Sequence, residues 1–178
     1  TTSRLVLKNG VIDIIRSLLF LPKNIKLLIL GDGPEMVSLR KFTRGNNLDE
    51  RVIFKNFIPH KDIVKYLQIS DIFVRPSLSE GFGNSFVEAM AAGLPVIATE
   101  VGGIVDFLYD PEINSQKPPT GLFCKVDDSK DIAEKVSRLL GDKELCQKIT
   151  DNAKELVARK YDWNIVAEDM GKIFNDLF

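Results

Sequence analysis

The sequence predicts an α/β fold: a parallel β-sheet with helices on both faces, followed by a helical carboxy-terminal segment. Two observations predict it. Short apolar runs rich in β-branched residues alternate with stretches whose apolar residues recur at three and four positions, the spacing of a helical face. The runs also end at glycine-rich turns, and in open sheets of this kind ligands sit beyond the carboxyl ends of the strands.

The elements follow in order. Leu5-Val6-Leu7 reads as a strand, and so near the start it suggests a piece of a longer protein. Val11, Ile14, Ile15, Leu18 and Leu19 mark one helical face. Lys26 to Leu30 is a strand that ends in the turn Gly31-Asp32-Gly33-Pro34. Arg51-Val52-Ile53-Phe54 and Ile72-Phe73-Val74 are buried strands, with the helical face Ile63, Val64 and Leu67 between them. Pro95 to Thr99 is a strand closed by Gly102-Gly103, and Leu122-Phe123-Cys124 is a shorter one. Asp110 to Gly121 is too rich in proline for regular structure. Three helices complete the chain, at 128–140 (face Ile132, Val136, Leu139, Leu140), 143–160 and 163–178. The last carries a broad apolar face of Val166, Met170, Ile173, Phe174 and Leu177.

Composition narrows the function classes. A chain of 178 residues, 44% of them hydrophobic, suits one domain with a core that needs no disulfide or structural metal. The net charge of −1 supplies no field for nucleic acid or an anionic membrane. Cys124, Cys146 and the single histidine, His60, do not make a zinc site. No apolar run reaches the roughly 18–20 residues that span a bilayer, and the start lacks signal-peptide character, so a cytoplasmic protein is expected.

The chemistry concentrates between Pro76 and Ile97. Gly81 and Gly83 clear space for a ligand to approach the backbone. The amides of Asn84, Ser85 and Phe86 open the following helix, and such a start suits a diphosphate. Two carboxylates flank this loop, Glu80 and Glu88, each with a bland alternative. Ser85-Phe86-Val87-Glu88 fits a capping box, in which Glu88 only bonds back to Ser85. Glu80 could be a solvated loop carboxylate. Gly31 and Gly33 suggest a dinucleotide fingerprint, but Met36 stands where its third glycine belongs.

The same stretch resembles the Glu-x7-Glu signature of the retaining group 1 glycosyltransferases, which have the GT-B fold. Glu80 and Glu88 are set in Glu-Gly-Phe-Gly-Asn-Ser and Glu-Ala-Met-Ala-Ala-Gly-Leu-Pro-Val-Ile-Ala-Thr. The resemblance extends to Ser3-Arg4-Leu5-Val6, Gly31-Asp32-Gly33-Pro34-Glu35, Val101-Gly102-Gly103 and Tyr161-Asp162-Trp163. It implies that residues 1–178 are a Rossmann-like nucleotide-sugar-binding domain, the second half of a GT-B enzyme whose amino-terminal acceptor domain lies outside this sequence.

Carried over, Glu80 holds the donor sugar's hydroxyls near the reacting carbon, and Glu88 accepts hydrogen bonds from the ribose. Gly81, Phe82, Gly83, Asn84 and Ser85 surround the diphosphate and the sugar. Gly31 and Gly33 border the nucleotide, and Phe57-Ile58-Pro59 meets the base. His60 adjoins that segment, where an exposed helix entry is the alternative, and Arg75 could reach the same cleft from its strand end. Arg4 and Lys8 are the cations for the departing diphosphate. Relatives of this pattern place lysine directly before the glycine that opens the first helix. Asn9 holds that place in this sequence, so Lys8 is expected to substitute.

The implied reaction is glycosyl transfer with retained configuration, without a protein nucleophile, cofactor or essential metal; Asp127-Asp128 is not a D-x-D motif. The implied partners are a nucleoside-diphosphate-sugar donor, the amino-terminal domain and a glycan, lipid or small-molecule acceptor, with membrane contact only peripheral and through that domain. The isolated chain is expected to be inactive in transfer. Two other readings stay open: a GT-B nucleotide-sugar epimerase, which lacks this Glu-x7-Glu context, and a nonenzymatic nucleotide-binding module.

Overall fold

Parallel strands need a long crossover between them, and the chain supplies a helix or helical turn at each one. A computed structural model describes residues 1–175. Its strands are β1 (Leu27–Leu30), β2 (Val52–Lys55), β3 (Phe73–Arg75), β4 (Val96–Thr99) and β5 (Leu122–Cys124). Its helices are α1 (Val11–Ser17), α2 (Met36–Gly45), α3 (His60–Gln68), α4 (Asn84–Ala91), α5 (Ser129–Gly141), α6 (Lys143–Lys160) and α7 (Trp163–Asn175). All strand pairs are parallel: β1 with β2, and β3 with β4 with β5, where Phe73 stands opposite Val96 and Ile97 opposite Leu122. The expected α/β architecture is therefore present.

Strand side chains alternate between two cores, as the period of two requires. Val74, Ile97, Leu122 and Cys124 join Val11, Ile14 and Ile15 of α1 and Ile132 and Val136 of α5. Phe73, Val96, Ala98 and Phe123 join Phe86, Ala89 and Met90 of α4 and Ala153 and Val157 of α6. Burial on both faces is why these strands read as continuous apolar runs rather than as alternating ones. Burial also pushes the Cys124 thiol up to about 12, so it stays protonated at neutral pH.

Several expectations need correcting. Leu5-Val6-Leu7 is not a strand. The free edge of β1 is taken three residues earlier, where Thr2 bridges Leu30, Ser3 N–H donates to Leu30 O and Leu30 N–H donates to Thr1 O. The chain then turns: Val6 N–H donates back to Arg4 O, and Leu7–Asn9 forms a 3-10 turn. The first helix ends at Ser17 and tightens into a 3-10 turn over Leu18–Phe20, which leaves Leu19 exposed. Val64 and Leu140 are likewise exposed, while Leu67 and Leu139 of the same faces are buried. Helix α2 adds an element to those expected, and its fully buried side consists only of Leu39 and Thr43. On α7 no residue is buried, and Leu177, assigned to its apolar face, lies outside the described residues.

The 110–121 segment is irregular, as its prolines require, but not loose. The buried Asp110 carboxylate accepts from Glu112 N–H at 2.8 Å and Phe123 N–H at 2.7 Å, tying the loop to β5. Asp128, half of the acidic pair, caps α5 by accepting from the amides of Lys130 and Asp131 at 3.1 and 2.9 Å.

Close backbone approach fixes the carboxyl ends of the strands. Gly31 has φ +140°, and a Cβ there would stand 1.9 Å from Ser3 O. Gly10 has φ +64°, and a Cβ there would stand 2.1 Å from Pro76 O. Gly31→Ala is expected to lower stability by at least about 2 kcal/mol in urea unfolding, since backbone crowds it and the conformation is strained. Gly45→Ala, with nothing within 4 Å at the end of α2, is expected to be neutral or stabilising by up to about 1 kcal/mol.

Candidate functional site

Three pieces of backbone at the carboxyl ends of the strands enclose one cleft of about 870 Å³. Arg4, Val6, Leu7, Lys8 and Asn9 come from the turn before α1, Pro34 and Glu35 from the turn after β1, and Arg75 and Glu80 from the end of β3 and its loop. The cleft therefore brings together Arg4, Lys8 and Glu80, three residues singled out from the sequence, and adds Arg75, Asn9 and Glu35.

Local chemistry explains how the two exposed cations are presented. Asn9 is buried, and its side-chain amide donates to Arg4 O at 2.6 Å, closing the turn from inside. Lys8 O in turn accepts from Leu78 N–H at 2.7 Å, which ties this turn to the loop after β3. The residue before Gly10 is thus a structural clasp, and the lysine one position earlier faces the cleft.

Arg75 lies at the centre. It is 7% exposed, and its donors reach four acceptors. Nε donates to Ser77 Oγ at 3.2 Å, and Nη1 donates to Ser85 Oγ at 2.6 Å and to Thr2 O at 3.3 Å. Nη2 forms an ion pair with Glu80 Oε2. The guanidinium also lies 4.4 Å from the centre of the Phe86 ring, a cation–π contact. Burial lowers the Arg75 pKa from its ordinary value, opposed by the negative charge of Glu80 and, more weakly, of Glu88. An arginine starts so high that it remains charged. Glu80 is accordingly no solvated loop carboxylate: it accepts from Arg75, from Ser77 Oγ at 3.4 Å and, through Oε1, from Gly81 N–H at 3.2 Å.

The glycine loop is held from behind. Gly103 N–H donates to Gly81 O at 2.7 Å, and a Cβ on Gly102 would stand 1.8 Å from Glu80 O. Phe82 packs its ring against Phe107 and Tyr161 at 5.4 and 5.2 Å, so its side chain anchors the loop to the carboxy-terminal segment. Gly81 has open space around it, as a site for close ligand approach requires, whereas Gly83 serves the backbone with φ +81° at the cap of α4.

That cap decides the fate of Glu88. Helix α4 begins at Asn84 with Gly83 as N-cap and no side-chain cap, and Ser85 sits inside the first turn bonded to Arg75. The capping box is therefore not formed. Glu88 instead faces His60 at the start of α3, with Nε2 and Oε1 2.9 Å apart. The Phe86 amide, expected to open toward a ligand, is taken by Gly83 O, which leaves those of Asn84 and Ser85.

Gly81 to Ser85 and Glu88 lie outside the lining of the cleft, as do the remaining candidates. Gly31 and Gly33 press against Ser3 and Leu5 and so hold the segment that bears Arg4. Ile58 is half-buried and Phe57 exposed on the loop between β2 and α3. Among the described residues no group of three or more His, Cys, Asp or Glu could hold a metal ion, and no helix is long and apolar enough to cross a membrane. Arg75, which the sequence sets within reach of the cleft without a role, lines it and is buried. The signal was a charged residue closing an apolar strand, two positions before Ser77 and five before Glu80.

Comparison with known proteins finds relatives over most of the chain. Residues 1–156 match the family model described as glycosyl transferases group 1. The chain is 32% identical over 152 residues to the N-acetyl-alpha-D-glucosaminyl L-malate synthase of Bacillus anthracis, covering 85% of this chain and 38% of that protein. It thus spans less than half the length of the curated relatives it matches. The C-terminal domain of a group 1 family protein (LpcC) from Francisella tularensis superposes with a TM-score of 0.78 at 28% identity, over 92% of this chain and 84% of that one. HepE of Anabaena, solved in complex with UDP, shares the fold with a TM-score of 0.88 at 23% identity, over 98% of this chain and 47% of that one.

A buried ion pair is far costlier to break on one side than to remove whole. Arg75→Met, which strands the Glu80 charge, is expected to lower stability by about 3–5 kcal/mol in urea unfolding. Adding Glu80→Gln to that variant is expected to recover part of the loss.

Proposed function

The chain belongs to the group 1 glycosyl transferases, and on that premise we propose that it is the donor-binding half of a two-domain enzyme. In this reading it binds a nucleoside-diphosphate-sugar, and the whole enzyme passes the sugar to an acceptor hydroxyl with retention of configuration. The observation that carries the proposal is the cleft itself: Arg4 and Lys8 share it with Glu80, at the carboxyl ends of the strands and beside the start of α4. The structural likeness to a protein solved with UDP supports a nucleotide ligand.

The residues take separate tasks. Arg4 and Lys8 meet the diphosphate, whose charge grows as it departs, and prepositioned cations lower that barrier. The free amides of Asn84 and Ser85 and the positive end of α4 add to the same field. Glu80 accepts from the donor sugar, and Glu88 from the ribose once His60 is displaced. The acceptor hydroxyl attacks from the face on which the nucleoside diphosphate leaves, with no protein nucleophile, metal or cofactor taking part. The acceptor is supplied by an amino-terminal domain, so this chain alone positions a donor and transfers nothing.

A thermal-shift series with UDP, GDP, ADP and CMP tests the site. One nucleoside diphosphate at a hundredfold excess over its Kd is expected to add about 2.7 kcal/mol and raise the melting temperature by about 5–10 °C. Glu88→Ala is expected to weaken that ligand at least about tenfold. Absence of any shift, or a Glu88→Ala protein with undiminished affinity, contradicts the donor site. Transfer of labelled sugar by the isolated chain contradicts its role as half an enzyme.

A further inference from the structure

Of the three cations lining the cleft, Arg75 alone is buried; Arg4 and Lys8 are exposed. A guanidinium has five N–H donors and no acceptor, so every atom it bonds must act as an acceptor toward it. Glu80 Oε2 is consumed in this way by Nη2 and is shared with Ser77 Oγ at 3.4 Å. Oε1 carries only the Gly81 amide at 3.2 Å and retains acceptor capacity. The same guanidinium grips Ser85 Oγ at 2.6 Å in the first turn of α4, and the Phe86 ring and Thr2 O fix its plane. The carboxylate is therefore registered against the helix start through one rigid fork. A lysine, with a single nitrogen and no plane, cannot hold all four acceptors at once.

We propose that Arg75 is a positioning residue for the donor sugar: it locks Glu80 Oε2 and thereby aims Oε1 as the acceptor for one sugar hydroxyl. The proposal rests on the donor-site reading above. It concerns the sugar rather than the nucleotide, because Glu80 is the carboxylate Arg75 grips, whereas Glu88 is turned to His60.

Positioning of this kind changes a ratio, which loss of stability alone does not. Calorimetric titration of the 178-residue chain with UDP and UDP-glucose, GDP and GDP-mannose, and ADP and ADP-glucose gives the donor-to-diphosphate affinity ratio for each pair. For the pair that binds, Arg75→Lys is expected to lower the ratio at least about tenfold, and Glu80→Gln to lower it comparably. The double variant is expected to fall no further, because the two residues act as one unit. Should Arg75→Lys not fold, Ser77→Ala removes the hydroxyl shared by Arg75 and Glu80, and a fall of about threefold is expected. A ratio that stays within about twofold overturns the inference and leaves the donor site standing. Failure of the unaltered chain to bind any of the three pairs overturns both.

Discussion

The Arg75 guanidinium joins Thr2, at the start of the chain, to the segment that follows β3: Ser77 and Glu80 in its loop, and Ser85 and Phe86 in the first turn of α4. A charge this deep is tolerated because its counter-ion and hydrogen-bond acceptors are all in place. Without it, Glu80 would have no reason to fold inward, and α4 would lose the bond that seats its first turn. The cleft depends on that contact more than on the apolar packing beneath, which would hold the strands together either way.

Around the pair, glycines set how closely the loops can approach. Gly10 meets Pro76, Gly31 meets Ser3, and Gly102 meets the carbonyl of Glu80 itself. Each removes a side chain where another backbone strand passes, so the three walls of the cleft are held at fixed separation. Phe82, Phe107 and Tyr161 add an aromatic brace from the far side. The Tyr161-Asp162-Trp163 turn thus takes part in shaping the glycine loop, though it lies about eighty residues away in the chain.

Glu80 and Glu88 differ in kind. Glu80 is an enclosed carboxylate whose orientation is imposed by a buried cation. Glu88 is half-exposed and meets an exposed histidine, a pair worth no more than about 1 kcal/mol and so readily exchanged for a ligand. One carboxylate is preorganised, and the other is held provisionally.

The sequence by itself determined the two-sided burial of the sheet, the glycine loop and the order of the elements apart from α2 and the first segment, and it singled out Arg4, Lys8 and Glu80, which the cleft brings together. Those features are written in local pattern: apolar period, turn chemistry and motif spacing. Only the tertiary structure decided that Leu5-Val6-Leu7 turns instead of pairing, because Thr1 to Ser3 already occupy the edge of β1. Only it decided that Ser85 serves Arg75 and leaves Glu88 to His60, since S-x-x-E spacing cannot tell a helix cap from a first turn already capped by glycine. The sequence sets Arg75 at a strand end within reach of the cleft, but not as its hub, for the same reason. Three of its acceptors, on Ser77, Glu80 and Ser85, lie close in the chain and the fourth, Thr2 O, far away, and no local pattern encodes that they converge on one buried charge.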